Sequence, residues 1–274
     1  MQNVFCKQIV ICLCVFVMSC HGNGGIDITN ADTLDSRQII RLLNDGKDVA
    51  FKGKYIAGNL NFCHVKRNSD YETSYIDNAV CFVDCIFEDS VSAFENGDRK
   101  YCVFSKKVTF NCCEFRKDVI FRQTEFKDKF RFDMTKIKGV ATFSGAVFRN
   151  NANFESANFM DDAKFAGCVF ELEANFRKSF FKRGAVIQNT KFGKNVAFEQ
   201  SYFYGYTEFN SNNVQCAANF SVCKFNGKTL FVNSLFFRDL NLKGCKFDPK
   251  FEFSKNKILA RLLKDDTTTI LITN

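Results

Sequence analysis

Between Phe104 and Ile258, twenty-nine large apolar residues stand alternately six and five positions apart, and no step is missed. The ladder opens with Phe104, Phe110, Phe115, Phe121, Phe126, Phe132 and Ile137, and it still holds at Phe231, Phe236, Leu242, Phe247 and Phe253. Two residues before most rungs sits a small or β-branched residue, such as Val119, Ala141, Ala152, Ala163, Ala174 or Ala218. An α-helix repeats about every 3.6 residues and a strand about every 2, so a 5/6 period fits neither. Each unit must turn a corner before the next begins. Such self-similarity marks a solenoid, whose units bury their apolar faces only against their neighbours.

A uniform interior column suits the composition. The chain holds 35 Phe and no Trp, and its one proline, Pro249, lies near the end of the array. Each buried Phe contributes about 1.5–3 kcal/mol. A proline would remove a ladder donor, and Trp is too large to stack at every level.

Residues 141–145 (Ala-Thr-Phe-Ser-Gly), 152–156 (Ala-Asn-Phe-Glu-Ser), 157–161 (Ala-Asn-Phe-Met-Asp) and 174–178 (Ala-Asn-Phe-Arg-Lys) resemble the Ala-(Asp/Asn)-(Leu/Phe)-x-x unit of pentapeptide-repeat proteins. The resemblance extends over residues 49–258. It implies an all-β fold, a right-handed quadrilateral parallel β-helix with four units to a coil and the Phe and small residues packed inside. The chain departs from the pattern by a sixth residue in every second unit. A coil therefore takes 22 residues, so that positions 22 apart stack and positions 11 apart lie on opposite faces. At a strand spacing of about 4.8 Å, the regular part is about seven coils and about 34 Å long.

Open solenoid ends expose backbone donors and acceptors and call for caps. Asp35 or Ser36 caps a short helix beginning at Arg37 and stopped by Gly46, which makes residues 35–48 an N-terminal helical cap. The β-helix then starts at residue 49, with Phe51, Ile56 and Phe62, and later Ile76, Phe82 and Phe87, in step. Residues 258–263 read as one or two helical turns, and 259–274 as a C-terminal cap. The ladder breaks near 63–75 and 88–103, where insertions project as loops. The first holds Lys66, Arg67, Asp70, Tyr71, Glu72 and Tyr75, the second Glu95, Asp98, Arg99, Lys100 and Tyr101. Each is either a tolerated surface insertion or a contact site.

The chain's start has another character. Lys7, the apolar run 9–17 and Ser19-Cys20 fit a secretory signal over residues 1–19, and the run is too short to span a bilayer. Residues 17–20 (Val-Met-Ser-Cys) resemble a bacterial lipobox, which implies cleavage before Cys20 and lipidation of its sulfur. An ordinary cleavable signal is the alternative. The expected product is an envelope lipoprotein held at the membrane by its lipid chains, with residues 20–34 as a tether.

Fourteen cysteines in an exported chain would suggest disulfides, but the repeat assigns most of them elsewhere. Cys6, Cys12, Cys14 and Cys20 belong to the signal region. Cys85, Cys102, Cys113, Cys168, Cys223 and Cys245 occupy the small inward position, where Cys replaces Ala as a small hydrophobe. Cys63, Cys81, Cys112 and Cys216 remain, and a disulfide among the first three stays open. With no CxxC pair and only His21 and His64 available, a zinc site is not expected. No Ser/His/Asp order, phosphate-binding glycine loop or HExxH helix is present, so neither an enzyme nor a cofactor is expected. The adjacent Asp161 and Asp162 fall at an outward corner and read as a solvated turn.

Two surface groups emerge from the 22-residue arithmetic. Phe180, Tyr202 and Lys224 share a column just before a rung, and Lys182 and Tyr204 share one just after it. Exposed aromatics on a polar wall suggest contact with a protein or glycan; cross-strand pairs that merely stabilise a sheet look the same in sequence. The second group is basic. Residues 99–138 carry twelve Lys or Arg against five acidic residues, with Arg116 stacked on Lys138 on one face and Lys127 on Arg149 on the opposite face. This is either a solvated basic end or a site for anionic lipid or envelope polysaccharide.

Pentapeptide-repeat proteins also include DNA mimics that protect DNA gyrase, and such mimicry needs an acidic surface. This chain has a formal net charge of +8, reduced by one if Lys7 leaves with the signal. The basic block also lacks the interleaved aromatics that would favour nucleic acid. The reading that results is a non-enzymatic, lipid-anchored envelope scaffold or binding protein, with an envelope protein, glycan or anionic lipid as partner. A gyrase-interacting DNA mimic is the alternative, and a solenoid end is where a second copy would dock.

Overall fold

The computed structural model describes residues 32–66, 69–70, 72–95, 100–265 and 272–273. The signal segment, Cys20, the tether as far as residue 31, and Arg67, Tyr71, Asp98 and Arg99 of the insertions lie outside the described residues. Four sheets, each of ten short strands, form the walls of a β-solenoid of about ten turns. Wall 1 runs from Thr33–Asp35 to Lys246–Phe247, wall 2 from Leu60–Asn61 to Ile272–Thr273, wall 3 from Thr73–Ile76 to Lys257–Ile258 and wall 4 from Val49–Lys52 to Leu262–Leu263. The chain visits them in turn, as in Glu114–Phe115, Val119–Ile120, Glu125–Phe126, Phe130–Arg131 and again wall 1 at Lys136–Ile137. Pairing between coils is parallel with a 22-residue offset, seen in Glu114↔Lys136, Val119↔Ala141, Glu125↔Val147 and Phe130↔Ala152.

The rung residues fill the interior. Phe110, Phe121, Phe132, Phe143, Phe154 and Phe165 are fully buried. On wall 4, Phe154 stacks on Phe176, Phe176 on Phe198 and Phe198 on Phe220, each at 4.7 Å between ring centroids and within 7° of parallel. That spacing is the strand spacing of about 4.8 Å, so the backbone ladder sets the ring ladder.

The alternation of fives and sixes has a backbone cause. Every eleventh residue from Cys112 to Lys255 takes a positive φ, including Gln123, Met134, Gly145, Ser156, Gly167, Lys178 and Val222. Each sits two residues after a rung, inside a five-residue step. There the chain makes a tight turn: the Ala146 N–H donates to the Phe143 carbonyl at 2.8 Å around Gly145, and the Cys223 N–H to the Phe220 carbonyl at 3.2 Å around Val222. A positive φ at the third turn position is the type II signature. The six-residue steps form the wider corners.

Where the small inward residue carries a hydroxyl or thiol, the carbonyl that opens the tight turn can gain a second donor from the coil above. Ser179 Oγ donates to the Phe154 carbonyl at 2.8 Å, Thr190 Oγ1 to Phe165 at 2.6 Å and Ser201 Oγ to Phe176 at 2.6 Å. Cys168, Cys223 and Cys245 do the same with Sγ at 3.1, 2.9 and 2.9 Å. Cysteine here is the buried small hydrophobe expected from the sequence and also an S–H donor, which the sequence reading did not include.

The ends differ from each other. The helix Ser36–Asn44 starts where the Asp35 carboxylate accepts the Arg37 N–H at 2.8 Å. It ends at Gly46, φ 74°, where the Gly46 and Lys47 N–H groups donate to the Leu43 and Leu42 carbonyls. Ile39 and Leu43, fully buried, seat it on the first coil. The tether expected over 20–34 stops earlier, because Thr33–Asp35 already pairs with Tyr55–Ala57 through Leu34↔Ile56, a 22-residue step. At the other end the helical turns expected over 258–263 are absent. Lys257–Ile258 and Leu262–Leu263 are strands, since Ile258 and Leu262 stand 22 residues after Phe236 and Leu240 and continue their columns. Interior register overrides helix propensity there.

Both insertions enter at one corner, between walls 2 and 3, in successive coils. The offset grows to 31 residues at Tyr55↔Ile86 and to 28 at Ile86↔Glu114 before settling at 22. The second break is narrower than 88–103. Val91–Ser92 is already a wall 2 strand, and the rung after it is Ala93, fully buried but too small to be read as a rung.

Candidate functional site

Wall 1 gathers most of the surface residues singled out above. Its outward column before the rung reads Lys136, Asn158, Phe180, Tyr202, Lys224 and Lys246, each the register partner of the next. The column after the rung holds Arg116, Lys138, Lys182 and Tyr204 at multiples of the same 22-residue step. Phe180 and Tyr202 stack at 5.6 Å, Tyr202 and Tyr204 lie 6.2 Å apart, and the Lys224 ammonium sits 5.8 Å over the Tyr202 ring. Asn226 Nδ2 donates to the Tyr202 hydroxyl at 2.5 Å and fixes that ring. Tyr204 is 57% exposed.

The corner beyond is shaped by Gly205. A Cβ built there would stand 1.5 Å from the Arg183 carbonyl oxygen of the coil beneath, so only glycine lets the chain pass that close. Gly205 carries Tyr204 on one side and Tyr206, 39% exposed, on the other, where the Tyr206 hydroxyl donates to Glu208 at 3.2 Å. Burial, then the Glu208 carboxylate, raises the Tyr206 phenol above its ordinary range. Sequence reasoning missed Tyr206; the run Tyr-Phe-Tyr-Gly-Tyr over 202–206 was its signal. It also missed Lys136 and Lys246, which share the column of Phe180 by the same arithmetic.

The basic group lies on opposite walls, Arg116 and Lys138 after wall 1 strands and Lys127 and Arg149 after wall 3 strands, and three of the four are paired with carboxylates. Arg116 lies 5.3 Å over the Tyr55 ring, donates to the Tyr55 hydroxyl at 3.2 Å and pairs with Glu114 at 3.7 Å. Lys138 pairs with the same Glu114 at 2.7 Å. Arg149 bridges Glu125, at 2.8 Å, and Glu171, and the hydrogen bonds it donates to these two carboxylates raise its pKa. Arg149 and exposed Lys127 follow wall 3 strands and are not brought to wall 1. By contrast, Lys136, Lys182, Lys224 and Lys246 form no ion pair among the described residues. These four lysines put positive charge without a carboxylate partner beside the wall 1 aromatics, and Lys127, Lys191 and Lys257 on wall 3 form no ion pair among the described residues either.

The insertion corner is a second, separate cluster. The 3-10 turn Phe62–His64 of the first insertion meets the strand Phe94–Glu95 of the second, which pairs antiparallel with Lys100–Phe104. Asn61 Nδ2 donates to Glu95 Oε1 at 2.7 Å, His64 Nε2 lies 3.3 Å from the same oxygen, and the Arg122 guanidinium stands 5.0 Å over the Phe94 ring. The two insertions thus brace each other. Cys63 packs against Cys102 here, whereas Cys81 belongs to wall 4 and Cys112 to the turn after it. Among the described residues, Cys63, Cys85, Cys102, Cys113, Cys168, Cys216, Cys223 and Cys245 are free thiols. Among the described residues no group of three or more His, Cys, Asp or Glu could hold a metal ion, and no helix is long and apolar enough to cross a membrane.

No curated protein matches the chain. Two solved structures of trypsin-treated QnrB1, a plasmid-mediated fluoroquinolone resistance protein, align with it at 15% and 16% identity. Each alignment covers 74% of this chain and 91% of that one, with TM-scores of 0.24 and 0.20, and at those scores it carries no functional weight. Residues 121–169, at the centre of the regular coils, match the pentapeptide-repeat family in nine copies.

Proposed function

We propose that the chain is a non-enzymatic, lipid-anchored scaffold of the bacterial envelope whose wall 1 binds an acidic glycan. One observation carries this reading: four lysines without carboxylate partners among the described residues flank Phe180, Tyr202 and Tyr204 on a single stacked wall. The aromatic faces offer apolar area to sugar rings, and the lysines, about 5 Å or a multiple of it apart along the axis, offer counter-charge to repeating acidic groups. Residue columns locked to the ladder spacing lose little freedom on binding, which favours affinity from a shallow surface. The anchor rests on the sequence at Lys7 to Cys20.

The glycan reading is tested with the purified chain and its Phe180→Ala/Tyr202→Ala/Tyr204→Ala variant on an immobilised acidic polysaccharide. Loss of three contact aromatics is expected to weaken retention at least about tenfold, equivalent to about 1.4 kcal/mol, with the fold unchanged. Equal retention, or a preference for single-stranded oligonucleotide over the polysaccharide, would overturn it. The anchor is tested by fractionating cells that express the native chain and Cys20→Ala. Membrane association of the native chain only is the expected result, and two soluble cytoplasmic forms would contradict it.

A further inference from the structure

Ten cysteines are described, and one pair among them is set apart by geometry. Cys63 Sγ lies 3.6 Å from Cys102 Sγ, in van der Waals contact, and also reaches the Lys100 carbonyl at 3.6 Å. The other neighbouring cysteines are stacked register positions: Cys223 and Cys245 directly precede the paired Lys224 and Lys246, and Cys85 and Cys113 the paired Ile86 and Glu114. Parallel register stacks such side chains one above the other at the strand spacing of about 4.8 Å, and Cys85 and Cys113 direct their S–H groups to backbone carbonyls, Val83 at 3.3 Å and Asn111 at 3.4 Å. Cys223 and Cys245 moreover each direct the S–H into a turn carbonyl at 2.9 Å. Cys63 and Cys102 are not a register pair, because the partner of Cys102 is Ser74. Their side chains approach across the corner, from the turn of the first insertion and from a wall 3 strand.

We propose that Cys63 and Cys102 are a redox modification site, oxidised to an intramolecular disulfide by a small-molecule disulfide such as oxidised glutathione. The Cys63 thiolate attacks one sulfur of the oxidant, whose S–S bond breaks and releases the first thiolate. Cys102 then attacks Cys63 Sγ in the mixed disulfide and expels the second. Two protons and two electrons leave the protein and appear on two molecules of the reduced thiol. The order follows from position. Cys102 sits in the strand Lys100–Phe104, hydrogen-bonded to wall 3 strands on both sides, and burial, with Cys63 beside it, pushes its thiol well above the ordinary range. Cys63 lies on a single 3-10 turn held by the Cys63 N–H to Asn61 Oδ1 bond at 2.9 Å and the Ser74 Oγ to Cys63 carbonyl bond at 3.0 Å, and local opening of that turn exposes it. The bond would replace polar bracing of the two insertions by a covalent staple across a 39-residue separation. It does not depend on where in the cell the chain resides or on what wall 1 binds.

The test uses the full chain, purified reduced, equilibrated with oxidised glutathione, alkylated and mapped by mass spectrometry. A Cys63–Cys102 peptide pair lighter by two hydrogens is expected, together with an upward shift of several degrees in the unfolding midpoint that a dithiol reductant reverses. Cys102→Ser, with a residue already found at this inward position in Ser179 and Ser201, and independently Cys63→Ser, should each abolish both the cross-link and the shift. Recovery of Cys63 and Cys102 as alkylated thiols, or a cross-link at Cys85–Cys113 or Cys223–Cys245 instead, would overturn the proposal.

Discussion

At the scale of single residues the fold depends on a few positions that its most visible pattern does not display. Val222 sits in the left-handed region at φ 60°, 52% exposed, where its branched side chain gains no burial to offset the strain. An L-residue there costs about 1–2 kcal/mol, and Asn tolerates the region better. Val222→Asn should therefore stabilise the protein by about 1 kcal/mol in denaturant unfolding; an unchanged midpoint would mean that the turn is not strained. Phe176, stacked between Phe154 and Phe198, is the converse case. Phe176→Ala opens a cavity in a column that cannot collapse without breaking register, and a loss of about 3–5 kcal/mol is expected.

At the scale of elements, the N-terminal helix is a lid whose attachment has a pH signature. The Arg37 side chain, then its backbone N–H, holds the Asp35 carboxyl down to about 2. An ordinary aspartate titrates near 3.9, so the folded-state pKa is depressed. The capping contribution is then complete above about pH 4 and is lost as pH falls through about 2. The Arg37 amide resonance should titrate with a midpoint near 2, and a midpoint near 4 would show the cap unformed.

The elements also show how far the sequence could be read. The rungs declared coil length, stacking and the wall 1 columns, because buried apolar residues must repeat with the backbone. The left-handed turns stayed hidden, since their two columns mix Cys112, Met134 and Lys178 on one face and Gln123 and Gly145 on the opposite one, and an outward turn position selects for backbone tolerance rather than side-chain type. Ala93 hid a rung by its size. Residues 258–263 looked helical because local apolar spacing there suits either period, and only the neighbouring coil decides. Contact between Asn61, His64 and Glu95 joins residues about 30 positions apart through two insertions of unrelated length, which no periodicity encodes.

At the scale of the whole molecule, the described solenoid behaves as a ruler. Every coil adds about 4.8 Å, so a lysine or aromatic placed once in 22 residues becomes a vertical row, and a single wall can specialise while the other three remain structural. Nearest-neighbour stacking makes stability local, and a partner on wall 1 should leave wall 3 unchanged. The most direct test is hydroxyl-radical footprinting of the full chain, free and bound to acidic polysaccharide. Protection centred on Phe180, Tyr202 and Tyr204 of wall 1 and reaching no further than Tyr206 at the adjoining corner, with Phe237 and Leu259 on the wall 3 side as reactive as before, is the predicted result. Protection spread over wall 3 or centred on the insertion corner would contradict it.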